Sequence, residues 1–442
     1  VSHELRTPLT SIIGYAEMLR ERGDEMSADM RQEFLDVIFD QGQQFKEIIN
    51  DLLDLDRMED NAARVEPVDC DLAALVRRLA EDWRQRAEVD GQTLVVKTGQ
   101  GPVMVEADPV EGLIRLLDKW GALGLTTVSE LSLGALAQSP ADAQVMAAAA
   151  QTGRLNARIR AYPFYTLGAE TWDQAKVQQG DGNAMARIAG YKLVADGSNQ
   201  GFTGLQRAPY LGTEDDRGLA YMSPEELTAV ALERARKGWH LAIHGNGDAA
   251  IDNILDTCEA LVEAGIDMSK VRPRIEHCSI LHDEQITRMR ELGVSASFLI
   301  GHVHYWGVAM RDEVFGEEKV QLLDRCRSVQ EAGISFTLHS DIMVTDPVPL
   351  HMIEMAVTRR TWKEPDYVLA PQETISVEAA IRAVTSEAAW QLFSDHEIGS
   401  LEPGKFADMV ILYKDPRDVA PDQIKSVTVL ETWMDGKQVY GA

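Results

Sequence analysis

Cysteine is scarce in this chain. Four occur in 442 residues, Cys70, Cys258, Cys278 and Cys326, scattered and without a Cys-x-x-Cys pair. That spacing excludes a disulfide scaffold and a zinc ribbon, and it suits a reducing, cytoplasmic setting, which is the expected location. Basic residues are also in the minority: 43 Lys plus Arg stand against 71 Asp plus Glu, a formal net charge of −28. So acidic a surface repels phosphate backbones and anionic lipid, so no nucleic acid and no membrane surface is expected as a partner. No apolar run approaches the roughly 18–20 residues of a membrane span, and no signal peptide is read ahead of His3, so no membrane span is expected. A phosphate-binding Gly-x-Gly-x-x-Gly after a first strand is missing too, which weighs against a doubly wound nucleotide-binding sheet. What remains is an ordinary globular composition, 45% hydrophobic and 6% aromatic. A chain of this length has room for two or three domains with sizeable cores.

Residues 1–62 read as two amphipathic helices. Leu5, Leu9, Ile12, Ile13, Ala16 and Leu19 recur at three and four, which draws one apolar stripe. Gly23, Asp24 and Ser27 supply a turn and a cap, and a second stripe follows through Phe34, Val37, Ile38, Phe45, Ile48, Ile49, Leu52, Leu53 and Leu55. A lone hairpin cannot bury two such stripes. A homodimeric four-helix bundle can, so the expectation is an all-α hairpin that dimerises.

The stretch Val1-Ser2-His3-Glu4-Leu5-Arg6-Thr7-Pro8-Leu9-Thr10 resembles the phosphoacceptor H-box of two-component sensor histidine kinases. The resemblance implies His3 as phosphoacceptor, Glu4 as its acid/base partner and Thr7 as a helper in phosphatase chemistry. It also implies a homodimer through the N-terminal helices, with a response regulator as partner. The chemistry is sound: His3 and Thr7 are four apart and share a helix face, and a neutral imidazole can attack a γ-phosphate. Residues 63–118 resemble only the start of a kinase ATP-binding domain, in Val68–Leu72 and Val105–Pro109. The Asn-rich helix and glycine boxes that hold Mg-ATP do not follow. Asp196–Gly201 is a Gly-rich hexamer, but its neighbours account for it better. ATP is therefore expected to act only through a separate kinase.

From about residue 120 short apolar strands alternate with helices. Strands are expected at Thr126–Val128, Ala157–Tyr162, Tyr191–Ala195, Leu241–His244, Arg274–His277, Val294–Phe298 and Ser335–Leu338. Helices are expected at Pro224–Lys237, Ala249–Ala264 and Asp283–Leu292. This alternation predicts an α/β fold of the (β/α)8 TIM type with seven readable strands. In such a barrel the reactive residues sit at the C-terminal strand ends. Lys192, His244, His277 and Asp341 occupy those positions in four strands. Two imidazoles plus a carboxylate form a zinc-type site with an open position, and the carboxylate can double as general base.

The order of these four residues and their flanking sequence resemble the amidohydrolase superfamily, specifically its family-3 branch of amidase- and deformylase-like enzymes. The resemblance rests on Lys-Leu-Val-Ala-Asp-Gly-Ser (192–198), Arg-Ile-Glu-His (274–277), Ser340-Asp341 and the tail from Gly399 to Asp408. It implies a hydrolase of carbon–nitrogen bonds in small amide-type substrates. By resemblance, zinc or another divalent metal is held by His244, His277 and Asp341, with Asp341 also the base and Lys192 carboxylated to bridge two metals. Tyr210, His302 and Arg359 are expected to line the substrate pocket, and His339 stands two residues before Asp341. The family's His-x-His pair on the first barrel strand is missing, as are the opening strands of its β-sandwich, so impaired activity is expected. His302-x-His304 follows the last-but-one strand and is a poor substitute. The resulting division is a phosphoacceptor hairpin (1–62), a truncated ATP-domain start (63–118), an incomplete barrel (119–395) and part of a C-terminal β-sandwich (396–442). A phosphorelay module with an inactive barrel is the rival reading.

Overall fold

The computed structural model describes residues 68–71, 104–135, 138–342 and 344–441, with side chains from 108 onward. The predicted hairpin, with His3, Glu4 and Thr7, lies outside the described residues. By its contacts the chain divides into Val1–Pro67 and Val68–Ala442, and only the second unit is described below.

That unit begins with a short antiparallel pair, β1 (Val68–Asp71) against β2 (Met104–Ala107). Helix Pro109–Gly121 follows, started by the Asp108 carboxylate accepting from the Val110 N–H at 2.9 Å. Pro109 sits at its first position, where a missing N–H costs nothing. The barrel strands then run β3 (Thr127–Leu133), β4 (Arg158–Pro163), β5 (Ala186–Ile188), β6 (Tyr191–Val194), β7 (Leu241–Gly245), β8 (Arg274–His277), β9 (Ser295–Phe298) and β10 (Phe336–Leu338). All seven expected strands are present. Expected helix Asp283–Leu292 is found with those bounds, Pro224–Lys237 ends one residue earlier, and Ala249–Ala264 is shifted by one residue at both ends.

The barrel is drawn as two parallel ladders, β3-β4-β5 and β6-β7-β8-β9-β10. They are joined through one extended segment. β5 pairs with β4, the chain kinks at Ala189-Gly190, and β6 pairs with β7, while Lys192 still bridges to Phe164 at the end of β4. A Cβ at Gly190 would collide with the Tyr162 ring and the His240 carbonyl, so this crossing requires glycine. Among the described residues no ladder joins β3 to β10, where an eighth strand would close the barrel.

Every residue of β4, β6, β8, β9 and β10 is buried, as parallel strands covered on both faces must be. The outer helices close over them. Helix Pro224–Arg236 starts with a capping box between Ser223 and Glu226, and helix Asp248–Glu263 buries Ile251, Ile254, Leu255 and Leu261. The C-terminal region forms an antiparallel sheet, β11 (Met409–Leu412), β12 (Val429–Met434) and β13 (Lys437–Tyr440). It is tied to the barrel unit by the buried pair Arg158–Asp408 and by Thr432 Oγ1 donating to the Gly121 carbonyl at 2.8 Å.

Candidate active site

Parallel strands put their carboxyl ends at one mouth, and here the register lines up the imidazoles. His244 in β7 pairs with Glu276 in β8, Gly245 pairs with His277, and His277 pairs with Phe298, which is also level with Leu338 just before His339. The rings of His244 and His277 lie 4.3 Å apart, centroid to centroid, at 70°. His339 stands 5.1 Å from His277, and His302 6.5 Å.

Hydrogen bonds fix these rings. His244 Nε2 lies 2.9 Å from the Gly197 carbonyl and 3.0 Å from the side-chain nitrogen of Asn246. The Asn246 amide shares that carbonyl at 2.8 Å, and its Oδ1 accepts from Ser279 Oγ at 2.7 Å. Ser279 Oγ lies 3.2 Å from His302 Nδ1, so one buried polar chain runs from His244 to His302. On the other side His277 Nδ1 lies 3.2 Å from His339 Nε2, and His339 Nδ1 2.9 Å from Ser297 Oγ. Asp196, fully buried, braces the floor by accepting from the backbone N–H groups of Asn246, Gly247 and Leu205.

Burial dominates the electrostatics. It holds His244 and His302 down to about 3 and His339 to about 4, and pushes His277 well below the usual histidine range, so all four rings are neutral at pH 7. Neutral imidazole is the ligand form. Burial likewise lowers Lys192 to about 8, against the pull of Glu276 and Asp341. Burial alone would raise Glu276, but Arg274 and Lys192 outweigh it and hold that carboxylate at about 2. Asp196 is raised to about 7, burial outweighing its three backbone donors.

The backbone is strained at the same place. His277 (φ 68°), Cys278 (φ 50°) and Asp341 (φ 48°) all occupy the left-handed region. Such conformations cost non-glycine residues free energy and gather at functional sites.

The other expected residues fall in different places. Asp341 lies exposed on the loop after β10, and its charge reaches Lys192 and Glu130. Tyr210 is buried, its hydroxyl donating to the Gly204 carbonyl at 2.5 Å and its ring 5.9 Å from that of Phe315. Arg359 is fully buried, donating to the carbonyls of Leu369, Asp324 and Leu323 at 2.7, 2.9 and 2.8 Å. His304 lies near the Arg360 carbonyl and stands against His351, 5.1 Å away. Among the described residues no group of three or more His, Cys, Asp or Glu side chains is arranged to hold a metal ion. The donor chemistry of His244 and His277 fits a divalent metal; the donor number does not. No histidine lies between His3 and His240. Asn246, Ser279, Ser297 and Asp196 were not foreseen; their signal was a run of small polar residues at strand ends.

The model of an amidohydrolase family matches residues 57–440, and the His Kinase A phospho-acceptor domain matches residues 1–61. LONG AFTER FAR-RED 3 of Arabidopsis thaliana is 34% identical over 286 residues, 64% of this chain and 48% of that protein. The N-substituted formamide deformylase of Arthrobacter pascens is 32% identical over 51% of this chain and 41% of its own length. The chain thus spans about half the length of these relatives or less. The Vibrio parahaemolyticus sensor kinase/phosphatase LuxQ is 29% identical over 25% of the chain and 13% of that protein. In fold, the chain is similar to a metal-dependent hydrolase from Pyrococcus horikoshii, with TM-score 0.63 and 24% identity over 76% of this chain and 69% of that one. That likeness, with parallel strands and outer helices, makes the second unit an α/β barrel. The chain joins a histidine-kinase phospho-acceptor segment to a hydrolase barrel, and it belongs to the amidohydrolase family.

Proposed function

We propose that the barrel derives from a metal-dependent hydrolase of carbon–nitrogen bonds in small amide-type substrates, and that its activity is impaired in this chain. The observation that supports this reading best is the pair of neutral imidazoles, His244 and His277, 4.3 Å apart at the mouths of adjacent parallel strands. Zinc or another divalent metal would be held by these two rings and by Asp341, with Lys192 adding an oxygen pair if carboxylated. Such a metal would supply Lewis-acid chemistry at the barrel mouth. Asp341 would accept the proton of the attacking water at its carboxylate. Impairment follows from ligand number, since metal affinity depends on how many donors are already in place.

The test is zinc content and formate release. After dialysis against zinc we expect a measurable zinc content below one per chain, and slow but measurable formate release from an N-substituted formamide, the substrate class of the deformylase relative. Two tightly held zincs with rapid turnover would sink the impairment. No zinc and no turnover, even at millimolar zinc, would sink the hydrolase reading itself.

The match over residues 1–61 favours a second reading, a dimeric phosphorelay segment. His3 would take a phosphoryl group from a phosphorylated response regulator, with Glu4 orienting the ring and Thr7 assisting hydrolysis. ATP would enter only through a separate kinase. Incubation with a radiolabelled phospho-regulator should label the chain but not His3→Ala; label independent of His3 rejects this reading.

A further inference from the structure

We propose that the cleft between helix Val377–Ala383 and strand β11 binds a small organic anion, a carboxylate carried on a flexible apolar chain. The cleft shares no residue with the barrel mouth, so the proposal stands whether or not the hydrolase reading does.

Local periodicity builds the two walls. On the helix, Glu378, Ile381 and Arg382 stand three and four apart and share a face. On the strand, Val410 and Leu412 alternate onto one side, and Lys414 continues that alternation past the strand end. The turn Pro416–Asp418, started by Asp415 accepting from the Arg417 N–H at 2.9 Å, supplies the rest of the lining. Together these segments bound about 570 Å³, a volume suited to a small molecule. Ile381, Val410, Leu412 and the buried Pro416 give the cleft an apolar surface, while the exposed Arg382, Lys414 and Arg417 bring positive charge to it.

The charges choose the ligand. Arg417 is taken by Asp415, whose carboxylate accepts from its Nε at 2.9 and 3.1 Å and from an Nη at 2.5 Å. Glu378 is drawn to the start of its helix by Ser376 and by its own backbone N–H. Arg382 and Lys414 are left with no side-chain hydrogen bond and no ion pair among the described residues. The chain carries 71 Asp plus Glu against 43 Lys plus Arg, so these two cations lack a carboxylate through placement, not shortage. A ligand carboxylate would meet both, the guanidinium giving it paired bonds, while the hydrocarbon chain covers the apolar surface. A cationic ligand finds no free partner there. A polyanion sets its extra charge against Asp415, Glu378 and an acidic molecule, whereas one negative charge is matched locally, since the wider field is screened beyond about 8 Å at physiological salt.

The experiment titrates the full chain with octanoate by isothermal calorimetry at physiological salt, with octanamide and octylammonium as comparisons. We expect octanoate to bind saturably with a Kd near or below about 1 mM, octanamide at least about threefold more weakly, and octylammonium not at all. Arg382→Gln combined with Lys414→Gln should weaken octanoate about 3–10-fold, the scale of two exposed ion pairs. Arg382→Glu combined with Lys414→Glu should invert the preference, taking octylammonium over octanoate, a result that loss of folding cannot imitate. Both side chains are exposed, and circular dichroism checks that each variant is folded. Failure of octanoate to saturate the wild type overturns the proposal, as does octanamide binding equally well. So does a folded double glutamine variant with wild-type octanoate affinity, or a folded double glutamate variant that still prefers octanoate.

Discussion

Asp324 shows what a single side chain can reveal. It is fully buried, and neither carboxylate oxygen has a hydrogen-bond partner, although Arg359 lies close enough for its charge to act. Burial pushes this carboxyl well above the usual range, so the folded chain holds the proton that an unfolded chain releases. The sign follows from linkage. Because the native state binds more protons, stability falls as pH rises from about 4 upward. Asp324→Asn removes that dependence. The variant should match wild type near pH 4 and exceed it by about 1–3 kcal/mol at pH 8, measured by urea unfolding at both pH values. A difference that does not change with pH would show that Asp324 is ionised and paired.

At the same scale the sequence named His244, His277 and Lys192 from their places at strand ends, and these lie together in the barrel mouth. Arg359 was expected at a substrate pocket, but three backbone carbonyls occupy its guanidinium. Residue type announces charge and donor capacity. It does not announce which partners the fold will bring, and a buried guanidinium with three acceptors looks the same in sequence as one awaiting a carboxylate.

Among the elements, helix Pro109–Gly121 is the most consequential. It follows a stretch that resembles the approach to a kinase nucleotide site, yet it packs as part of the barrel unit. Ile114 and Leu117 are buried in the main core, Arg154 holds Glu111 with bonds of 2.8 and 2.9 Å, and Asn156 donates to Asp118 at 2.6 Å. The division expected at 118/119 therefore falls inside a helix. An amphipathic helix is read by the surface it meets, so an apolar stripe that could serve one fold can cover another. Leu117→Ala should cost about 2–5 kcal/mol, seen as a lower urea midpoint for barrel unfolding with an unchanged slope. A loss below about 0.5 kcal/mol would mean the helix is not integral to the barrel.

The break between β5 and β6 also belongs to this scale. The run Tyr191–Ala195 was legible as a strand from its apolar pattern. Its junction with β5 was not, because the kink depends on Gly190 meeting Tyr162 and His240, residues 28 and 50 positions away.

For the molecule as a whole, the formal net charge of −28 favours self-repulsion. Self-repulsion of that size opposes compactness, and it weakens as the screening length shrinks from about 30 Å at 0.01 M salt to about 8 Å at 0.15 M. We expect Tm to rise by about 2–4 °C over that range in scanning calorimetry with sodium chloride. No change would indicate that local ion pairs such as Arg207 with Asp252 and Glu284 already absorb most of the repulsion. No helix of the described residues is long and apolar enough to cross a membrane, in line with the absence of long apolar runs.

The sequence by itself determined the strand–helix alternation, the seven barrel strands and the family, because periodicity and short motifs are local properties of the chain. It also shows that no histidine lies between His3 and His240. Only the tertiary structure decided how the imidazoles at the mouth are spaced, which buried groups go unpaired and that helix Pro109–Gly121 packs into the main core. Those outcomes depend on contacts between residues tens to hundreds of positions apart, where burial and geometry set the energy of each group and no local pattern records the partner.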